Sequence, residues 1–196
     1  ISKLDYGNYL SAALAYLMIN QQDGVGLTLF DNKINTFIPP RSKPSHVNTI
    51  LSHLDNIGSG KDTDVGLVLH EMAERIKKRG LVIIISDLFD EVENIMRGLK
   101  HFRHNKQEII VFHVMDRKEL EFDFTNRTKF KDMETNEQIT TEPWKIRKVY
   151  QKSIQSYQNE LRLKCREQKI DYVPLFTYQR LDLALNEYLK KRQRLG

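Results

Sequence analysis

Residues 81–87, Leu-Val-Ile-Ile-Ile-Ser-Asp, constrain the fold more than any other stretch of this chain. A continuous Val/Ile run bounded by Gly80 on one side and polar residues on the other reads as a strand buried on both faces. Such strands occur in parallel sheets covered by helices. Ligands of open α/β sheets bind outside the carboxyl ends of the strands, so Ser86 and Asp87 would be carried into such a crevice by a rigid element. The competing reading is that Asp87 opens a turn or caps a helix starting near Glu91.

The remaining sequence alternates between helical and extended patterns. Residues 4–21 place Leu10, Ala13, Leu14, Leu17 and Met18 on one helical face, ended by Asp23-Gly24 before a strand at 25–30. After the turn residues Asp31-Asn32, residues 33–38 read as an antiparallel edge strand stopped by Pro39-Pro40. A helix at 46–56, a Gly/Ser-containing loop at 57–64 and a helix through Met72 and Ile76 lead to the buried strand. Val92, Ile95, Met96, Leu99 and Phe102 then share a helical face before a strand at 108–115.

Residues 116–142 interrupt the rhythm as an irregular excursion with possible short strands around a turn at Glu134-Thr-Asn-Glu137. A long helix from Pro143 to about residue 168 follows, with Val149, Ile154, Tyr157, Leu161 and Cys165 at helical spacing, then a strand at 172–176 and a helix at 181–188. The class is α/β, doubly wound, with helices on both faces of a mostly parallel sheet and one antiparallel edge strand. At 196 residues, 40% of them apolar, a single domain spanning 1–196 is expected.

Several function classes lose support. No apolar run reaches the ~20 residues of a membrane span, and a single cysteine, Cys165, fits a reducing, cytoplasmic setting and a buried role. The net charge of +5 comes from basic residues dispersed among acids. Two clusters, Arg75-Ile-Lys-Lys-Arg79 and Lys190-Lys-Arg-Gln-Arg194, fall at helix ends, where cations meet the negative end of the helix dipole, so nucleic acid is not an expected partner. No phosphate-loop, dinucleotide, zinc-protease or nucleophile-elbow motif is present. The six histidines are scattered, with His113 inside a buried strand and His46, His53, His70, His101 and His104 on helices or their ends.

A hydroxyl and a carboxylate remain. Thr63 precedes the helix that feeds the buried strand and Asp87 follows that strand, so both should reach one edge of the sheet. Oxygen ligands from separate loops suit a hard cation such as Mg²⁺. The plainer role for Thr63 is an N-cap whose oxygen accepts a backbone N–H near Gly66.

The segments Ser2-Lys-Leu-Asp-Tyr6, Asp23-Gly-Val-Gly-Leu27, Pro39-Pro40, Thr63-Asp64, the run ending at Asp87, Met115-Asp116 with Glu119, and Glu134-Thr135 occur in an order and spacing that resembles the domain of unknown function 58 family, a branch of the von Willebrand factor A-like domains. The resemblance runs almost end to end. It implies a metal-ion-dependent adhesion site at the upper sheet edge, to which Thr63 and Asp87 correspond. It also implies an Asp-x-Ser-x-Ser motif on a first central strand just upstream of the Ser2–Tyr6 segment, and these 196 residues hold no such strand. Any Mg²⁺ would then bind weakly, because two loop ligands do not meet the octahedral demands of a small ion. The strands at 25–30 and 81–86, which would flank the central strand, are expected to pair directly in parallel, with a strand from a neighbouring copy or from another segment filling the slot as the next possibility.

The function this implies is a non-enzymatic protein-protein adaptor working with a MoxR-type AAA+ ATPase in assembly or maturation of other proteins. The rival is a Mg²⁺-dependent phosphoryl-transfer or hydrolytic enzyme using Asp87 and Thr63 with Asp90 or Asp64. A weaker one is a nucleic-acid binder through the basic helix ends.

Overall fold

The computed structural model describes residues 1–57, 64–122 and 143–182, the backbone of 128–131 and 138–141, and residues 185–186 and 189–190; for 143–145 only the backbone is described. Thr63 and the basic cluster beyond Lys190 lie outside the described residues.

A parallel sheet forms the centre. Strands β3 (Leu81–Ser86), β4 (Glu108–Met115) and β7 (Asp171–Phe176) stand in the order β3-β4-β7, both pairings parallel, with Ile83 opposite Ile110 and Ile110 opposite Asp171. Alternation along each strand sends side chains to two different cores. Ile83, Ile85, Ile110, Phe112, Val114 and Leu175 pack against Tyr6, Leu10 and Leu14 of helix α1 (Lys3–Asn20). On the other face, Val82, Ile84, Ile109 and Val111 meet helices α3 (Val65–Arg75), α4 (Val92–His104) and α6 (Pro143–Glu167). The helices thus cover both faces, as the uninterrupted apolar run of β3 requires.

Helix α1 starts at a reciprocal cap: the Ser2 hydroxyl accepts the Asp5 N–H, and the Asp5 carboxylate accepts the Ser2 N–H. Its buried residues are Tyr6, Leu10, Leu14, Ala15 and Ile19, whereas Ala13 and Leu17, expected on the apolar face, are half-exposed. The stripe is broader than one face because α1 packs on the central sheet and also on helix α2 (His46–Asp55) and strand β1 (Val25–Phe30). The left-handed turn after the helix falls on Gln22, not on Gly24.

Strand β2 (Ile34–Arg41) pairs antiparallel with β1 and continues through Pro39-Pro40 instead of stopping there. A bulge between Val25 and Leu27 accommodates the prolines, which lack N–H donors. Gly26 makes the approach possible, since a Cβ there would stand 2.7 Å from the Ile38 carbonyl.

The expected direct pairing of β1 with β3 does not occur. Among the described residues β1 and β2 form their own two-stranded sheet. Leu27 and Leu29 are committed to the core of Ala15, Ile19, Ile50 and Leu54, and Phe30 packs against the core around α3 and α4. Side-chain packing across α1 therefore sets the place of the ribbon, and no backbone ladder joins it to β3.

The excursion holds a short helix, α5 (Arg117–Glu121), which the acidic-aromatic pattern did not reveal, and an antiparallel pair of strands, β5 (Thr128–Lys131) and β6 (Gln138–Thr141). Helix α6 keeps Leu161 and Cys165 fully buried, whereas Val149, expected on the same face, is 68% exposed. Burial pushes the Cys165 thiol up to about 12, leaving it an unreactive core residue. No helix among the described residues is long and apolar enough to cross a membrane.

Candidate functional site

The carboxyl edge of the sheet gathers the N-terminus of α1, the loop 87–90 after β3, the N-terminus of α3 and the corner at Asp116. Asp87 does not cap α4. Its carboxylate receives the Lys3 ammonium at 2.8 Å, and the same ammonium reaches Glu119 at 2.6 Å. Burial opposes the charge of Lys3, but these two carboxylates outweigh it and raise its pKa above the ordinary lysine value.

The loop that carries Asp87 is clamped from below. Ser86 turns its hydroxyl onto the Leu88 N–H, closing a local turn instead of presenting the oxygen to a ligand. Leu88 takes a left-handed conformation, φ 49°, with its side chain 1% exposed. The Tyr157 hydroxyl of α6 contacts the carbonyls of both Leu88 and Asp90. His113, which stands opposite Ser86 in the parallel register, donates from its ring to the Asp87 carbonyl, leaving Nδ1 to accept from the Tyr172 hydroxyl at 2.6 Å. Desolvation lowers the His113 pKa to about 4, so the ring is neutral at physiological pH. The energetic cost of a non-glycine left-handed residue is of order 1–3 kcal/mol, and these partners hold it in place.

Asp90 and Asp64 are also structural. Asp90 Oδ2 accepts the Gly66 N–H at 2.9 Å, and its Oδ1 accepts from Glu91 N–H and Asn94 Nδ2. Asp64, not Thr63, is the N-cap of α3, accepting the Leu67 N–H at 2.9 Å. The bond from Gly66 to Asp90 brings the start of α3 to the 87–90 loop. At the neighbouring corner, Asp116 caps α5 in a reciprocal box with Glu119 and accepts the Thr177 hydroxyl at 2.8 Å. The Lys118 N–H first, then Thr177, hold its carboxyl below the usual carboxylate range.

At the tip of the clamped loop Phe89 is 80% exposed, and Leu67 in the first turn of α3 is 59% exposed. Sequence reasoning missed Phe89, Lys3 and Glu119. An aromatic between two acidic loop residues could have signalled the first; the ion pair of Lys3 spans 84 positions and has no local signature.

The Mg²⁺ implied by the resemblance does not fit the described residues as they stand. The Lys3 ammonium already occupies an oxygen of Asp87 and one of Glu119, and among the described residues no group of three or more His, Cys, Asp or Glu side chains could hold a metal ion.

Together these features define an α/β protein with helices on both faces of a parallel three-stranded sheet and an antiparallel pair beside it, compatible with a doubly wound fold. The chain belongs to the protein of unknown function DUF58 family, whose model matches residues 2–160. Its structure is similar to the crystal structure of the conserved hypothetical protein BatB from Bacteroides thetaiotaomicron, with a TM-score of 0.59 at 14% identity, over 97% of this chain and 88% of that one. At that identity the likeness is one of fold. No curated protein matches the sequence.

Proposed function

We propose that this chain is a von Willebrand factor A-like interaction module that binds a protein partner through the carboxyl edge of its sheet, without turnover. The observation that carries the reading is Phe89: a large aromatic left 80% exposed at the tip of a loop whose backbone is held by His113, Tyr157 and Ser86. Buried aromatic anchors dominate interface energetics, and holding one in its bound geometry removes ordering cost. The adjoining carboxylates are occupied: Asp87 by Lys3, Asp90 and Asp64 by backbone N–H groups. None is poised as a general base beside a nucleophile.

The partner proposed from the family resemblance is a MoxR-type AAA+ ATPase, with a role in assembly or maturation of other proteins in the cytoplasm. A residual metal-ion-dependent adhesion site built on Thr63 and Asp87 would require Lys3 to leave Asp87, so Mg²⁺ would bind weakly there.

The test is binding to a MoxR-type ATPase from the same organism by biolayer interferometry. Phe89→Ser and Asp87→Asn are each expected to weaken it tenfold or more. Equal binding by both variants would remove this edge from the function. Hydrolysis of ATP or a phosphate ester with Mg²⁺, abolished by Asp87→Ala, would overturn the non-enzymatic reading.

A further inference from the structure

Helices α3 and α4 lie against each other through a ladder of close contacts. A Cβ on Gly66 would stand 2.7 Å from Asn94, and one on Gly98 would stand 2.5 Å from the Leu69 Cβ, so the two glycines set a short separation between the helices. Further along, the Asn105 amide donates to the Ala73 carbonyl at 2.8 Å. Between these fixed points the helical repeat puts His70, four residues after Gly66, opposite His101, three residues after Gly98. Their Nδ1 atoms stand 3.1 Å apart and their ring centroids 4.4 Å apart.

Two imidazole nitrogens so placed match one edge of a metal coordination shell. An ion with Zn–N bonds of about 2.0–2.1 Å holds neighbouring tetrahedral ligands about 3.3–3.4 Å apart, a few tenths of an ångström from the observed spacing. Glu74, one turn after His70, presents Oε1 at 3.7 Å from His70 Nε2. At that distance the carboxylate lies beyond hydrogen-bond reach of the ring and places negative charge beside the pair. The pair is half-exposed, with the His70 side chain 52% accessible, so water can complete the shell.

We propose that His70 and His101 form a two-ligand surface site for a borderline divalent transition ion, which pins α3 to α4. Imidazole ligands favour Zn²⁺, Ni²⁺ and Cu²⁺ and exclude Mg²⁺, so this site is chemically distinct from the carboxylate edge of the sheet. It needs no partner and does not depend on the proposed docking function.

The test is thermal unfolding of the whole chain under Zn²⁺ titration. At about a hundredfold excess over the dissociation constant, an upward shift of about 5 °C or more is expected, reversed by chelator and absent with Mg²⁺. His70→Gln and His101→Gln should each abolish the shift. No shift in the unaltered protein, or a shift that survives in both histidine variants, would overturn the site. Should a variant fail to fold, Cu²⁺ electron paramagnetic resonance on the unaltered chain decides: coupling to two nitrogens supports the assignment, and coupling to none overturns it.

Discussion

The two faces of the central sheet are built from different materials. Against α1, the side chains from β4 are Ile110, Phe112 and Val114, all apolar, and they contact Leu10 and Leu14. The opposite face is just as apolar along Ile109 and Val111, but at its carboxyl end it turns polar, with His113, Tyr172 and Tyr157 joined to each other or to the 87–90 loop. Apolar burial is non-directional and fixes only the stacking of layers. Hydrogen bonds from buried polar groups have direction, and here they fix one loop.

Four measurements can break or sharpen that comparison. The largest effect is expected on the apolar face, where Phe112→Ala removes a fully buried ring and should cost about 3–5 kcal/mol in urea unfolding, with Phe89 and the loop otherwise unchanged. A loss below about 1 kcal/mol would mean that the α1 face is loosely packed.

Second comes the pH dependence of the polar face. His113 has its pKa lowered from 6.5 to about 4, so the unfolded chain binds more protons than the folded one between those values. Its contribution is complete above pH 6.5 and declines as pH falls toward 4, amounting to about 3 kcal/mol over that window. His113→Gln should flatten this part of the stability profile; identical profiles for both proteins would show that the ring is not buried neutral.

Third, Tyr157→Phe leaves the Leu88 and Asp90 carbonyls without the hydroxyl, an expected loss of about 1–3 kcal/mol. Hydrogen exchange at the Leu88 and Asp90 amides should quicken more than exchange in β4. Uniform quickening would mean that the hydroxyl supports the core and not the loop. The smallest effect belongs to Lys3→Met, which removes a partly exposed ion pair and should cost at most about 1 kcal/mol. It should also strengthen Mg²⁺ binding measured by calorimetry, because the carboxylates of Asp87 and Glu119 lose their counter-charge; unchanged binding would show that Lys3 does not compete with a cation.

Much of the chain was legible in one dimension. The β3 run, the α4 stripe from Val92 to Phe102 and the burial of His113 and Cys165 follow from periodicity and composition, because one or two local repeats decide which face meets the core. The strand through Pro39-Pro40 was not legible, since a bulge opposite Gly26 lets the prolines pass. Nor was the separation of β1 from β3, which depends on where Leu27, Leu29 and Phe30 find partners on other elements.

The sequence by itself determined that a buried parallel strand ends at Asp87 among alternating helices and strands, because hydrophobic period and turn chemistry act over a few residues. Only the tertiary structure decided what Asp87 meets. Lys3 comes from 84 positions away, Tyr157 from 69 positions beyond Leu88, and His70 faces His101 across 31 positions. Those meetings depend on how layers stack and how closely two glycines let helices approach, and no local pattern in a chain encodes the distance between two of its own distant segments.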